Sequence, residues 1–269
     1  MCIRDSMLVP ADRIEMNGPF YGLSWNQYTV PLFPSDNDPN NGANGLAGTY
    51  GRDEGVTAWG SLGKFQYAVG FFEGYNGAAN QSDDPLFATR LAYHFLNKEP
   101  NPAYFTSSTY FGKAGDILTL GFAVQHQGDG YGTAAQSSSF TGYVFDGLFE
   151  KPLADGAAIT IEGEYKDFEV DPQIAAAEFP MFDGKAYFGT VAYLIGGTKG
   201  TGMYQPYLRL TSNDPSAGES SSLTEIGVNY VIDGHNLRFN LNYTSGDANA
   251  SGIKGKDIDT ILFGVQYQI

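Results

Sequence analysis

The sequence predicts an all-β chain, a transmembrane antiparallel β-barrel with about eleven strands. Apolar side chains fall on every second position from Ile261 to Ile269 at the C-terminus, and the same period of two recurs along most of the chain. The links between the alternating stretches are short and long in turn, as in bacterial outer-membrane barrels. A soluble antiparallel sheet also alternates when one face packs on a core and the other meets water. The barrel is therefore predicted from the recurrence of the alternation along the chain and not from any single strand.

Each strand is placed where the alternation holds. Phe87 and Tyr93 fall on one face of their stretch and Arg90 on the other. Near the C-terminus, Leu237 and Arg238 begin an alternation whose polar face has no apolar member. In chain order, the predicted strands are Gly55–Gly60, Lys64–Gly74, Leu86–Phe95, Leu118–Gln127, Phe140–Phe149, Ala157–Phe168, Lys185–Leu194, Gly202–Thr211, Thr224–Ile232, Asn236–Thr244 and Asp257–Ile269.

The links give a second signal that is independent of the alternation. Short links are predicted at 61–63, 151–156, 195–201 and 233–235, and long links at 75–85, 128–139, 169–184, 212–222 and 245–256. This order fits short periplasmic turns, longer extracellular loops and a last strand that runs down to the periplasm. The link Leu96–Ile117 does not fit, because it should be short but is long and contains Pro100 and Pro102.

The composition agrees with a barrel. With 35 Gly, 18 Tyr, 19 Phe and a mean hydropathy of -0.25, the chain is aromatic-rich without being hydrophobic on average, as strands with one polar face would be. No run approaches the ~18 apolar residues of a transmembrane helix. A secreted β-sandwich or β-helix is the alternative fold, and the chain is long enough for either.

The net charge is -15, which argues against a nucleic-acid partner. Many acids fall in the predicted loops, where divalent cations bridge charges at a surface covered with lipopolysaccharide. Basic residues on the predicted inner face would instead attract anions in a narrow pore. The pore-lining candidates are Lys64, Arg90, Lys166, Arg209 and Arg238. The alternative is that they pair with Glu162, Glu164 or Glu225, which would leave the pore weakly selective and limited mainly by solute size.

The beginning of the chain does not match the rest. Cys2 is the single cysteine, and the segment Met1–Ser6 has no apolar run of the kind a signal peptide needs. Single-chain bacterial barrels close with an even number of strands. We therefore expect a non-native start and an N-terminal truncation, with residues 1–50 as start and loop region and residues 51–269 as the C-terminal part of a barrel.

Short segments of the chain resemble the phosphate-selective porin O and P family of Gram-negative outer membranes. The segments that carry the resemblance are Gly51–Val56, Trp59–Gly60, Gly63–Gly70, Ala88–Tyr93, Thr106–Gly112, Asp116–Gly121, Phe145–Leu153 and Gln205–Tyr207. The resemblance implies a sixteen-stranded barrel that assembles as a homotrimer, so that the strands seen here would be strands six to sixteen. It also implies passage of phosphate, polyphosphate or other small solutes. The segment Leu8–Thr49 would then fold into the barrel and constrict it, or form an ordinary extracellular loop.

The sequence holds no convincing catalytic, metal or cofactor motif. Asp36 and Asp38 mimic the first ligands of a calcium loop, but the position that requires Glu is Ala47. The predicted function is a porin in the bacterial outer membrane, not an enzyme, that contacts lipid and lipopolysaccharide and passes small hydrophilic solutes, with anions such as phosphate as candidates. The alternatives are a barrel enzyme of lipase or protease type, for which Asp83 and Asp84 are a faint signal, and a non-channel structural or adhesive barrel.

Overall fold

The computed structural model describes residues 5–24, 51–74, 80–171, 183–197, 200–216, 219–247 and 257–268. They form one antiparallel sheet in which each strand pairs with its neighbours in sequence, in the order β1 to β12. The strands are β1 Asp5–Leu8, β2 Arg52–Leu62, β3 Phe65–Phe72, β4 Leu86–His94, β5 Ile117–Thr133, β6 Gln136–Pro152, β7 Ala158–Asp171, β8 Gly184–Leu194, β9 Met203–Pro215, β10 Ser221–Asp233, β11 Leu237–Asp247 and β12 Asp257–Tyr267.

The eleven strands expected from the alternation are all present, as β2 to β12. The expected long link 128–139 is wrong, because β5 continues to Thr133 and β6 begins at Gln136. The structure adds β1, which pairs with β2 from Leu8 opposite Arg52 to Asp5 opposite Gly55. A strand of 4 residues is too short to display a period of two, so the sequence pattern did not reveal it. Within the described residues β1 and β12 do not pair with each other, and the sheet is open.

The two faces of the sheet differ in character. On β12, Ile261, Phe263 and Tyr267 are 73%, 69% and 68% exposed, whereas Gln266 between them is 6% exposed. The same alternation of exposed apolar and buried polar side chains continues through β11 and β7. We call the face that carries Gln266 the inner face and the opposite one the outer face. The expected outward and inward sides of the last strand are confirmed, although Ile269 lies outside the described residues.

Two segments cover the inner face. The first, residues 9–24, contains two single-turn helices, α1 Arg13–Met16 and α2 Gly18–Tyr21. The second is the long link between β4 and β5, residues 95–116, whose length broke the expected order of links. We call them the N-terminal inner segment and the β4–β5 inner segment. They bond to each other, since the amide of Ser108 donates to the carbonyl of Tyr21 at 3.1 Å.

The sheet curls around the N-terminal inner segment. Arg90 on β4 donates to the carbonyl of Ala11 at 3.3 Å, and Gln266 on β12 donates to the carbonyl of Phe20 at 2.7 Å. A flat sheet would separate β4 from β12 by about 38 Å, at ~4.8 Å per strand. The ten residues from Ala11 to Phe20 span only about 30 Å when fully extended, and here they include helical turns. Both contacts therefore require a strongly curved sheet.

An apolar cluster lies where the inner segments meet the strands near the long links. Phe140 and Phe168 contact edge to face with their ring centroids 5.2 Å apart, and Met16 and Tyr104 pack into the same cluster. The hydroxyl of Tyr104 donates to the carbonyl of Leu8 at 2.6 Å, which holds the end of β1 in place. In the described part of the chain, no helix combines the length and the apolar character needed to cross a membrane.

Candidate functional site

Buried charges gather on the inner face, between β4 to β7 and the N-terminal inner segment. The carboxylate of Asp146 on β6 accepts hydrogen bonds from both terminal guanidinium nitrogens of Arg90 on β4. The distance from Nη2 of Arg90 to Oδ1 of Asp146 is 2.6 Å. The same carboxylate lies 3.4 Å from Nε of Arg13, which in turn donates to Glu99 at 2.6 Å. Glu99, Arg13, Asp146 and Arg90 thus form a continuous line of alternating charge, here named the ion-pair chain. It joins both inner segments to the sheet.

Gly121 on β5 makes room for the ion-pair chain. It lies opposite Asp146 in the register of β5 with β6. A Cβ atom at this position would stand 2.6 Å from an oxygen of Asp146 and would also meet the guanidinium of Arg90. Neither group can move away without losing its partner, so the absence of a side chain at residue 121 is a condition for the pairing.

The Arg13–Glu99 pair is ionised. Burial alone would raise the pKa of Glu99, but the guanidinium of Arg13 and the hydrogen bonds that Glu99 accepts lower it to about 2. Burial alone would lower the pKa of Arg13, and the carboxylates of Glu99 and Asp146 raise it above its usual value. Burial and the charge of Glu99 raise the pKa of Tyr110, whose protonated hydroxyl donates to Glu99 at 2.6 Å.

Acid should break this pair. Because the pKa of Glu99 falls from 4.5 to about 2 on folding, its stabilisation is complete above pH 4.5 and is lost as the pH falls toward 2. We expect the free energy of unfolding, measured with urea in detergent micelles, to drop between pH 5 and pH 2 by on the order of 3 kcal/mol more in the unaltered protein than in Glu99→Gln. The exposed Glu169→Gln should behave as the unaltered protein does. An equal drop in all three proteins would refute the assignment.

Lys166 on β7 is the second centre of charge. It is fully buried and binds Asp12, with Glu15 at 3.7 Å and Glu164 at 3.6 Å from its ammonium nitrogen. Asp12 has two roles, since its other oxygen caps α1 by accepting from the amide of Glu15 at 2.8 Å. The first turn of α1 is thereby fixed to the middle of the sheet.

The remaining basic candidates lie in different surroundings. Arg209 on β9 donates to Thr190 at 3.1 Å and lies over the ring of Phe188. Arg238 on β11 donates to Gln266 at 2.8 Å and to the carbonyl of Leu23 at 3.0 Å, and so holds the end of the N-terminal inner segment. Four of the five candidates, all except Lys64, are therefore buried on the inner face. Lys64 lies in the β2–β3 turn, where it donates to the carbonyl of Phe95 at 2.9 Å.

Amide side chains extend the polar inner face across β10 to β12. Asn240 donates to Asn229 at 2.8 Å, and Asn242 donates to Asn240 at 2.7 Å. The hydroxyl of Tyr207 donates to Glu225 at 2.6 Å and accepts from Asn240 at 3.2 Å. Glu225, one of the acids considered as a partner for the basic residues, thus accepts a hydrogen bond from a tyrosine on the neighbouring strand.

A cavity of about 290 Å³ opens at the end of the sheet that carries the short turns. Its lining includes the rings of Tyr21, Phe111 and His235, with Lys113 and Asp233 among its polar residues. Burial, and the nearby charge of Arg238, lower the pKa of His235 to about 4, so the ring is neutral at pH 7. Its Nε2 donates to the carbonyl of Thr109 at 2.9 Å, which ties the β10–β11 turn to the β4–β5 inner segment.

The sequence patterns did not identify several residues that the fold brings to this site. Arg13, Asp12 and Glu99 lie outside the alternating strands, so no period assigned them to a face. A weak signal existed for Asp12, because Asp followed three residues later by Glu is a helix-start pattern. Asp146 lies two positions from both Val144 and Leu148 and therefore on the same face of β6. A charged residue among these apolar inward positions was a signal for a buried partner of Arg90.

Comparison of the chain with family models, curated proteins and solved structures found no match. The assignment of function therefore depends on the geometry of the two faces and on the resemblance in short segments. Among the described residues, no three His, Cys, Asp or Glu side chains are grouped so that they could hold a metal ion. The buried acids of the described residues are dispersed over strands and segments.

Proposed function

We propose that this chain is the barrel wall of a porin in the bacterial outer membrane, through which small hydrophilic solutes diffuse. The observation that carries the proposal is the inversion of the two faces, with large apolar side chains exposed outside and charged or amide side chains buried inside. A soluble sheet of this kind would bury its apolar face. Lipid is the surroundings in which an apolar outer face is stable.

The order of side chains along the outer face supports a membrane as its surroundings. Exposed tyrosines lie at two levels, with Tyr93, Tyr193, Tyr204 and Tyr267 near the short turns and Tyr143, Tyr165, Tyr187 and Tyr243 toward the long links. Aliphatic and phenylalanine side chains lie between them: Ile161, Val191, Leu210, Leu241, Phe263 and Val265. An apolar band between two aromatic girdles is typical of transmembrane barrels.

Charges on the outer face begin beyond the second level of tyrosines. Tyr243 donates to Asp259 at 2.6 Å and Tyr165 donates to Asp167 at 3.1 Å, so their hydroxyls point toward the long links. An aromatic ring with one apolar and one polar end suits the boundary between lipid and water. Strands β5 to β12 have 11 to 17 residues, which meets the ~9–11 residues of a transmembrane strand.

The inner face supports a narrow water-filled pore rather than a wide one. Its strands carry amides, hydroxyls and charges, which lower the barrier for hydrophilic solutes. The N-terminal inner segment lies across this face, in the position that the resemblance implies for a constriction. In this proposal residues 8–24 narrow the pore, while the rest of the expected constriction segment 8–49 lies outside the described residues. The complete barrel assembles as a homotrimer, and its partners are outer-membrane lipid and lipopolysaccharide.

A second candidate function is a closed structural barrel. The observation that favours it is the covering of the inner face by the two inner segments, which buries Arg13, Lys166 and Arg238 almost completely. A barrel filled in this way would seal the membrane instead of conducting. The two candidates share the same outer face and differ in conduction.

Planar-bilayer recording separates the candidates. The full chain, refolded in detergent and added to a bilayer in 1 M KCl, should insert and give discrete conductance steps. Protein denatured by heat serves as the control for detergent-induced leakage. Insertion without steps, with insertion shown by protection of β7 to β12 from added protease in vesicles, would overturn the channel and leave the structural barrel. Failure of the refolded chain to insert into lipid would overturn both.

A further inference from the structure

The cavity at the short-turn end of the sheet has no part in the channel proposed above. Three segments that are far apart in the sequence form its wall. They contribute Tyr21 from α2, Phe111 and Lys113 from the β4–β5 inner segment, and Asp233 and His235 from the β10–β11 turn. Its volume of about 290 Å³ is near the lower limit of cavities that bind small molecules, roughly 300 Å³. This size suits a ligand with one substituted ring.

Aromatic rings form much of the wall. The imidazole of His235 meets the ring of Tyr21 edge to face with the centroids 5.5 Å apart, and its centroid lies 4.9 Å from that of Phe111. Since Nε2 of His235 donates to the carbonyl of Thr109, Nδ1 is left as an acceptor. Nδ1 is buried and has no hydrogen-bond partner within the described part of the chain. A buried acceptor without a partner is uncommon, and it favours a ligand that carries a donor.

A pair of opposite charges stands at the opening of the cavity. Nζ of Lys113 lies 3.7 Å from a carboxylate oxygen of Asp233, and the two side chains are 69% and 62% exposed. An exposed ion pair of this kind contributes little to stability, so a charged ligand can replace it at a small cost. Lys113 offers donors to an anionic group, and Asp233 offers an acceptor to a cationic group beside it.

Gly234 lies where the aromatic wall meets the charged opening. A Cβ atom at this residue would stand 3.7 Å from Nζ of Lys113 and 3.7 Å from Cδ2 of Phe111. The backbone here has φ of 54°, which favours glycine. A ligand atom near this point would contact the ring and the ammonium at the same time. The cavity therefore suits a molecule whose apolar and charged parts are directly joined.

We propose that this cavity binds a free amino acid with an aromatic side chain. The ring of the ligand packs against Phe111 and Tyr21, its carboxylate pairs with Lys113, and its ammonium pairs with Asp233. A neutral sugar would use neither charge at the opening, and a phosphate ion would leave the aromatic wall empty. The inference does not rest on the proposed porin function, because the site is built from the inner segments and one turn.

Ligand-detected saturation-transfer NMR measures the binding, with the full chain refolded in detergent micelles and L-phenylalanine as the probe. Binding should saturate with a dissociation constant in the millimolar range, as for other ligands of this size. Micelles without protein serve as the control for partitioning. Lys113→Gln should weaken binding about fivefold, whereas Lys98→Gln, at an exposed lysine of the same inner segment outside the cavity, should leave it unchanged. Absence of saturable binding, or equal effects of the two variants, would overturn the proposal.

Ligand analogues test which charge binds where. Phenylpropionate lacks the ammonium, so Asp233→Asn should weaken the binding of phenylalanine about fivefold without weakening that of phenylpropionate. The asparagine keeps an oxygen that can accept from Asn236. Glycine, which buries no apolar surface, should bind at least about tenfold more weakly than phenylalanine. Equal weakening of phenylalanine and phenylpropionate, or equal affinities for glycine and phenylalanine, would show that the ligand class is wrong. Binding of phenylalanine without conductance steps in the bilayer would contradict the porin function and leave this site standing.

Discussion

Replacing Asp146 with Asn should destabilise the protein by about 3–5 kcal/mol, the usual cost of breaking a buried ion pair by removing one partner. The reason is that Asp146 compensates both Arg90 and Arg13 inside the sheet. Without the carboxylate, Arg90 keeps its contact with the carbonyl of Ala11 but has lost the charge that balances it. Urea unfolding in detergent micelles, followed by circular dichroism, measures the change.

The matched control is Asp155→Asn. Asp155 is exposed in the turn between β6 and β7, with φ of 57°, a conformation that Asn tolerates. We expect its free energy of unfolding to stay within about 0.5 kcal/mol of the unaltered value. The double variant Arg90→Gln/Asp146→Asn should lose less than the sum of the two single variants, because the two side chains are coupled. A loss below about 1 kcal/mol for Asp146→Asn would show that the ion-pair chain does not hold the inner segments.

Introducing a charge at Leu241 should have the other large effect. Leu241 lies midway along β11 on the outer face and is 49% exposed. If lipid surrounds this face, Leu241→Arg should cost about 2–4 kcal/mol of folding free energy in lipid vesicles, as for Arg at the middle of a bilayer. The same substitution in water would be almost neutral, since exposed surface positions tolerate charge.

Leu62→Arg provides the control at a different depth. Leu62 is 71% exposed at the end of β2, next to the β2–β3 turn. Near the lipid–water boundary the cost of Arg falls to about 0–1 kcal/mol. Equal and small costs at both positions would indicate that water covers the outer face, and would contradict the membrane proposal directly.

The strands were predictable from local chemistry. A β-strand places successive side chains on opposite faces. The alternation from Phe87 to Tyr93 and from Leu237 to Tyr243 therefore predicts which side chains share a face, whichever strands lie beside them. The order of strands followed as well, because short links force consecutive antiparallel strands to pair. The burial of Arg90, Lys166, Arg209 and Arg238 on one side agrees with that parity.

The covering of the inner face could not be predicted in the same way. The link between β4 and β5 was recognisable only as a misfit in length, and the N-terminal inner segment has no alternation to orient it. Their positions depend on contacts between residues far apart in sequence, such as Arg13 with Glu99, which are 86 positions apart, and Arg238 with the carbonyl of Leu23, which are 215 apart. Such contacts leave no periodic trace.

The sequence by itself determined the all-β class, the number and order of β2 to β12, and the side of the sheet on which strand residues fall, because these depend on the fixed two-residue repeat of the extended backbone. The tertiary structure alone decided which charges meet. Glu162, Glu164 and Glu225 were named as alternative partners of the basic residues. Lys166 does lie 3.6 Å from Glu164, but it also binds Asp12, and Arg90 pairs with Asp146, which the sequence did not single out. Charge pairing depends on distances across the curved sheet and on the inner segments that fill it, and neither is encoded in the spacing of residues along one strand.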